Sequence, residues 1–260
     1  MLVASVQLEV TEKESKEQRL ARVEDLLDSL KGNDLIILPE MWNVGFFSFD
    51  NYYEESEPLN GQTAEIMSKK AKELGAYLLS GSIVEKSGDN YYNTTLFFDP
   101  QGKLIGTYRK IHLFGYGSRE TELLTPGQEV VVVPTEFGNF GLTTCYDLRF
   151  PELYRRLVDK GAEYFLVTSA WPFPRLEHWV VLNQARAIEN LAFLFSSNCC
   201  GVHHGIRYLG HSMLVDPWGT PLASGGMQET ILKTQVDTHL VKQVRADFPP
   251  FYDRVHFLNS

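Results

Sequence analysis

Three ionisable side chains, Glu40, Lys110 and Cys145, each stand where an apolar run stops. Glu40 closes Leu-Ile-Ile-Leu-Pro-Glu, and Met41, Trp42, Phe46 and Phe47 follow at once. A carboxylate at a strand end is often only the first solvated residue. Among so many apolar neighbours, burial would instead make it a stronger proton acceptor, as a general base must be. Lys110 follows Arg109 in Thr-Tyr-Arg-Lys-Ile-His-Leu-Phe. Such a pair usually marks a solvated strand end, yet Ile111, Leu113 and Phe114 continue the apolar run. Cys145 ends the run 140–144 at a polar corner, Tyr146-Asp147, and Pro151 suits the first turn of a following helix. A cysteine at such an elbow can be held out of the sheet, where backbone N–H groups and the helix dipole favour the attacking thiolate. The same position also suits a small buried thiol without chemistry.

Weaker candidates surround these three. Arg119-Glu120-Thr-Glu122 leads into a Pro126-Gly127 turn and by itself is a polar loop with two carboxylates. Asp147 and Arg149 read as charges that hold the elbow together through an Asp147–Arg149 or Arg149–Glu152 pair. Trp171, with Pro172 behind it, is placed to wall a pocket, though an aromatic there is also ordinary core. Arg175 and His178 could read a substrate carboxylate, but a solvated helix position is the plainer reading of Arg175. Cys199-Cys200-Gly-Val-His203-His204 combines soft and imidazole ligands. Neighbouring strand residues point to opposite faces, which makes joint chelation by Cys199 and Cys200 awkward, and zinc wants four ligands in tetrahedral geometry. Cys199 reads as a small core residue.

The elements that must position these groups follow from periodicity. Strand-like runs occur at 2–8, 35–38, 77–84, 93–98, 104–109, 130–133, 140–144, 164–168, 192–197, 212–216 and 231–236. Amphipathic helical patterns occupy 16–30, 63–74, 151–160 and 175–189. Ser87-Gly88-Asp89-Asn90 and Asp99-Pro100-Gln101-Gly102 are tight-turn signals within a run of consecutive strands. Mixed sheets covered by helices are therefore expected, as two sheets packed face to face. No linker composition divides the 260 residues and no internal repeat is visible, so one domain spanning 1–260 is expected. The net charge of −9 argues against nucleic acid or an anionic membrane as partner. No stretch reaches the roughly 18 apolar residues of a membrane span. The first residues alternate like a strand and lack a basic leader, and the three cysteines suggest no disulfide framework. A cytoplasmic setting is expected.

Taken together and in order, LPEMW around Glu40, YRKIHLF around Lys110, the TPG turn after Glu120 and TTCYDLRFPELYR around Cys145 resemble the nitrilase superfamily of carbon–nitrogen hydrolases. SAWP at 169–172, HW at 178–179, ARAIEN at 185–190 and GHSMLVDPWG at 210–219 extend the resemblance to about Pro250 and tilt it towards the omega-amidases. The resemblance implies an α/β fold, a four-layer α-β-β-α sandwich of two mixed sheets. It implies a triad of Glu40, Lys110 and Cys145, with Glu120 as a second glutamate that positions the site. It also implies pairing into a homodimer or a higher homo-oligomer, with a C-terminal arm from about 241 crossing to the partner.

On that reading Glu40 takes the Cys145 proton, and the thiolate attacks an amide carbonyl. Lys110 and the Tyr146 backbone N–H stabilise the oxyanion, and Tyr146 and Trp171 bind substrate. No metal or organic cofactor is needed. The implied substrates are small linear amides that carry a carboxylate, such as 2-oxoglutaramate. A nitrilase, an N-carbamoyl-amine hydrolase and a non-catalytic binding module are the alternatives.

Overall fold

The structure, a computed structural model, describes residues 1–248, 250 and 252–255. Its first half runs β1 (Leu2–Gln7), α1 (Lys16–Asp28), β2 (Leu35–Ile37), α2 (Gln62–Leu74), β3 (Tyr77–Ser87), β4 (Asn90–Phe98) and β5 (Leu104–Arg109). There follow α3 (Glu120–Leu123), β6 (Val132–Thr135), β7 (Gly138–Thr144), α4 (Pro151–Asp159), β8 (Tyr164–Ser169), α5 (Leu176–Asn190) and β9 (Phe193–Asn198). The hairpin β10 (Val202–His203) and β11 (Ile206–Arg207), then β12 (Met213–Val215), β13 (Pro221–Ser224), β14 (Thr230–Gln235) and α6 (Leu240–Asp247) complete the chain.

Among the described residues, one six-stranded sheet has the order β14-β1-β2-β3-β4-β5 and another the order β13-β12-β9-β8-β7-β6. In the first, β1, β2 and β3 are parallel neighbours, and β14, β4 and β5 add antiparallel edges. In the second, β7, β8 and β9 are parallel neighbours, and β6, β12 and β13 are the antiparallel additions. The two halves thus repeat one strand pattern, which the residues themselves do not display as a repeat. Pairing direction depends on chain path, and many apolar sequences satisfy the same path.

The sheets pack face to face. Val3, Leu35, Ile37, Leu79 and Phe97 of one meet Phe140, Leu142, Tyr164, Leu166 and Phe195 of the other in one buried cluster. The outer face of the first sheet buries Leu20, Val23 and Leu27 of α1 with Ala64, Met67 and Ala71 of α2. The outer face of the second buries Leu153 and Leu157 of α4 with Trp179 and Ala187 of α5. This is the expected four-layer sandwich.

Local chemistry sets the element ends. Ser15 accepts from the Gln18 amide while the Gln18 side chain accepts from the Ser15 amide, a capping box that starts α1. Pro151 occupies the first turn of α4. The expected C-terminal arm opens as α6, whose Val241 and Val244 are buried against the chain's own body. The rest of that arm reaches residues 256–260, which lie outside the described residues. The one-turn α3, the hairpin, β13 and α6 were not readable as elements, because each is too short to show a period.

Candidate active site

Three strand ends of the two sheets converge on one buried cluster. Glu40 follows β2, Lys110 follows β5 and Cys145 follows β7, and Glu40, Lys110 and Glu120 are fully buried. The loop carrying Glu40 comes within reach because β3 bulges at Gly81. A Cβ there would lie 2.0 Å from Pro39 O and 2.7 Å from Trp42 Cδ1, so only glycine fits. Trp42 Nε1 then donates to Ser80 O at 2.8 Å and the Met41 amide to Ser82 Oγ at 3.1 Å. Gly127 does a similar service for Lys110. Its amide donates to Lys110 O at 2.8 Å, and a Cβ would lie 2.0 Å from Arg109 O.

Lys110 Nζ donates to Glu40 Oε1 at 2.8 Å and to Glu120 Oε1 and Oε2 at 3.0 and 2.9 Å. Burial alone would strip this lysine of its proton, but Glu120 and Glu40 outweigh that and hold its pKa well above the ordinary value. Glu40 Oε2 accepts from the Ala170 amide at 2.9 Å. Glu120 Oε2 also accepts from the Phe114 amide at 2.6 Å. Burial, reinforced by Glu40, raises the Glu120 pKa against the pull of Lys110. Asn93, absent from the sequence reading, donates from Nδ2 to both Glu40 Oε1 and Glu120 Oε1 at 2.8 Å each.

Cys145 sits at the elbow in the left-handed region, φ 46°. For a residue with a Cβ this conformation is strained, and it persists only where the surroundings enforce it. Asp147 does the enforcing. It accepts from the Thr144 amide at 2.9 Å, from Tyr108 Oη at 2.6 Å and from the His112 amide at 3.0 Å. The expectation that helix-start amides favour a thiolate here is corrected. Cys145 opens a 3₁₀ turn, Cys145–Arg149, and α4 starts only at Pro151. Burial, with Glu40 beside it, pushes the thiol well above its ordinary pKa, while Lys110, the Ser169 side chain and the Ala170 backbone pull less strongly the other way. The resting sulfur is a thiol, and its attack needs a base.

Cys145 opens into a small pocket walled by Phe46, Phe114, Tyr146, Trp171, Arg149 and Arg175. The structure therefore brings all six sequence-designated residues to one place. Trp171 is buried, with its backbone amide on Asn198 Oδ1 at 2.8 Å, and presents its ring to the Arg149 guanidinium 4.6 Å away. Arg149 pairs with neither Asp147 nor Glu152; its guanidinium nitrogens lie 3.3 Å from His178 Nδ1. Arg175 is not simply a solvated helix residue, since it lies 5.7 Å from the Phe114 ring and 5.4 Å from the Tyr116 ring at the pocket wall. Burial, with Arg175 adding to it, lowers the Arg149 pKa. Among the described residues neither arginine forms a salt bridge. Carboxylates two and three residues away along the elbow had suggested an internal ion pair for Arg149, and for Arg175 the substrate-carboxylate reading had ranked below a solvated helix position.

The Cys199 to His204 segment gathers no ligand set. Cys199 Sγ points to Glu40 O at 3.6 Å, His203 is buried beneath Gly45 and Ser48, and His204 faces Glu12. Among the described residues no three His, Cys, Asp or Glu side chains converge as a metal site would require.

A cysteine held in strain beside a buried lysine and two carboxylates, between two facing sheets, is the site of a thiol hydrolase of carbon–nitrogen bonds. The chain belongs to the carbon–nitrogen hydrolase family, whose profile matches residues 2–246. It is 36% identical to the 2-oxoglutaramate amidase of Paenarthrobacter nicotinovorans, over 97% of this chain and 88% of that protein. It is 32% identical to the omega-amidase NIT2-B of Xenopus laevis, over 84% of this chain and 82% of that protein. The solved structure of Saccharomyces cerevisiae Nit3, a member of branch 10 of the nitrilase superfamily, superposes with a TM-score of 0.88 at 31% identity, covering 96% of this chain and 94% of that one.

Proposed function

We propose that this protein hydrolyses the terminal amide of short dicarboxylic acid monoamides, 2-oxoglutaramate among them, through a thioester on Cys145. The observation that carries the reading is that two guanidinium groups, Arg149 and Arg175, share one small pocket with Cys145 and, among the described residues, form no salt bridge with a carboxylate. A substrate with an amide at one end and a carboxylate at the other complements that arrangement. The relatives named as acting on 2-oxoglutaramate or as omega-amidases support the same class.

Glu40 takes the Cys145 proton as the sulfur attacks the amide carbon. The Lys110 ammonium and the Tyr146 backbone N–H receive the negative charge that develops on the carbonyl oxygen. Glu40 then returns its proton to the nitrogen and ammonia leaves. A water, deprotonated by the same carboxylate, attacks the thioester, and the acid departs with the thiol restored. Glu120 accepts from Lys110, Phe114 and Asn93, so it is occupied as the anchor of Lys110 rather than as a proton carrier. Trp171 and Tyr146 wall the bound chain.

We also propose that the chain acts as one domain, in the cytoplasm, as a homodimer. Three free cysteines support a reducing compartment, and among the described residues no helix is long and apolar enough to cross a membrane. Val181 and Ile188 on α5, Trp218 and Phe248 are exposed, with the Trp218 and Phe248 rings 5.6 Å apart and Ile188 next to Gly219, and exposed apolar groups of this kind suit a second copy of the chain.

Ammonia release tests the assignment. Wild-type protein should release ammonia from 2-oxoglutaramate and succinamate and much less from neutral amides of the same length, and Cys145→Ala should release none. Silence on the whole panel from folded protein would instead favour a binding module.

A further inference from the structure

Asn93 touches every charged member of the buried cluster and belongs to none of the roles just assigned. It lies on β4 with no exposed surface. Its backbone carbonyl accepts from the Lys110 amide at 2.8 Å, fixing the strand end that carries the ammonium. Its Nδ2 has two hydrogens and spends one on each carboxylate, 2.8 Å to Glu40 Oε1 and 2.8 Å to Glu120 Oε1. Its Oδ1 is buried and, among the described residues, has no donor in reach. A buried orphan carbonyl is a cost, so this amide is placed badly for stability and well for its nitrogen. The orientation of the amide is fixed too, since the opposite flip would face a carbonyl oxygen against two carboxylates.

We propose that Asn93 is a positioning residue of this centre, a neutral clamp that holds Glu40 and Glu120 on either side of Lys110 and keeps both ionised. Two carboxylates in a dry site otherwise share a proton, because their like charges cannot both be tolerated. Lys110 is the cation in contact with both. Cys145, Cys199, Tyr52 and Tyr208 also face Glu40, and as neutral groups they lend it no charge compensation. Asn93 supplies two more donors without altering the net charge. With Oε1 of Glu40 held by Asn93 and Lys110, Oε2 keeps the lone pair that can take the Cys145 proton, the Ala170 amide using the other. Without the clamp the cluster should bind a proton more readily, and protonated Glu40 cannot serve as a base.

The inference rests on the proposed role of Cys145, and thiol labelling separates the two. Alkylation by uncharged iodoacetamide, read by intact mass from acid to neutral pH, reports transfer of the thiol proton without depending on any amide substrate. Wild type and Asn93→Ala are compared, with Cys145→Ala to assign the label. The acid limb of the labelling rate should move up by about one pH unit in Asn93→Ala, with roughly tenfold slower labelling on the limb. Asn93→Asp, matched in size, should move it further, because it removes the donors and adds a third carboxylate. It carries the same test if Asn93→Ala fails to fold. An acid limb unmoved in either folded variant would overturn the proposal. A shifted limb beside a silent substrate panel would keep Asn93 and remove the substrate assignment. A Cys145 that never labels would remove the nucleophile and the clamp together.

Discussion

Lys110 Nζ lies 2.8 Å from Glu40 Oε1 with both side chains wholly buried, so the ammonium that would meet the substrate oxygen is also the counter-ion of the would-be base. The same nitrogen holds Glu120. Removing the cation leaves two buried carboxylates facing one another. Lys110→Met should therefore lose about 3–5 kcal/mol of stability at neutral pH. Part of that loss should return as pH falls, because one carboxyl of the folded variant then takes a proton more readily than it does in the unfolded chain. Urea unfolding at neutral and mildly acidic pH checks both statements. A loss below about 1 kcal/mol would mean that the cluster is not charged as described.

Cys145 gives a second test, on the backbone. Its φ of 46° penalises any residue with a Cβ, whereas glycine adopts it without strain. Glycine is usually the more destabilising substitution relative to alanine. At this elbow the order should reverse, with Cys145→Gly more stable than Cys145→Ala by about 1 kcal/mol. Both variants lack the sulfur and should be inactive, so the comparison isolates strain from chemistry. Equal or inverted melting temperatures would show that the elbow relaxes.

Much of this site was legible because each of Glu40, Lys110 and Cys145 ends an apolar run, and such ends in a sandwich gather at one edge. Glu120 was placed by the family resemblance, since the residues alone offered Glu122 equally, and the turn that follows brings Gly127 against Lys110. Asn93 was hidden. It sits inside β4, where an asparagine is an ordinary exception, and its partners are 53 and 27 residues away. Arg149 was hidden for another reason. Its neighbours Asp147 and Glu152 offered carboxylates, and only the fold shows that Arg149 turns to His178 instead. Arg175 was named as a reader of a substrate carboxylate, but its position ahead of a helix made a solvated residue the plainer reading. The pull of helix-start amides on the thiol was overestimated, because sequence position reports helix starts, while burial decides proton affinity.

His203 supplies a pH dependence away from the reacting atoms. Burial, with His204 and Arg19 adding to it, lowers its pKa from 6.5 to about 4. Its Nε2 lies 3.4 Å from Ser48 Oγ, its Nδ1 has no partner among the described residues, and Gly45 packs against the ring. Between those two pH values the unfolded chain binds a proton that the folded chain refuses, so stability should fall as pH drops from about 6.5 towards about 4. His203→Gln should flatten that part of the stability curve, measured by urea midpoints across the window. An unchanged slope would assign the acid sensitivity to other groups.

The two pocket arginines yield the sharpest separation between reading a carboxylate and building a wall. Arg149 is braced by Trp171 and His178, while Arg175 is braced by the Phe114 and Tyr116 rings, so each can be removed without touching the Lys110 cluster. A charge-assisted hydrogen bond to a substrate carboxylate is worth about 1.5–3 kcal/mol, which corresponds to roughly 10- to 150-fold in kcat/KM. Arg149→Gln and Arg175→Gln should each lose activity by that factor on 2-oxoglutaramate, mainly through KM, and leave slow turnover of neutral amides nearly unchanged. Iodoacetamide labelling of Cys145, blind to substrate charge, should also stay near the wild-type rate in both variants. Equal losses on charged and neutral amides would reassign the pair to shaping the pocket, and the anionic end of the substrate would then need another partner.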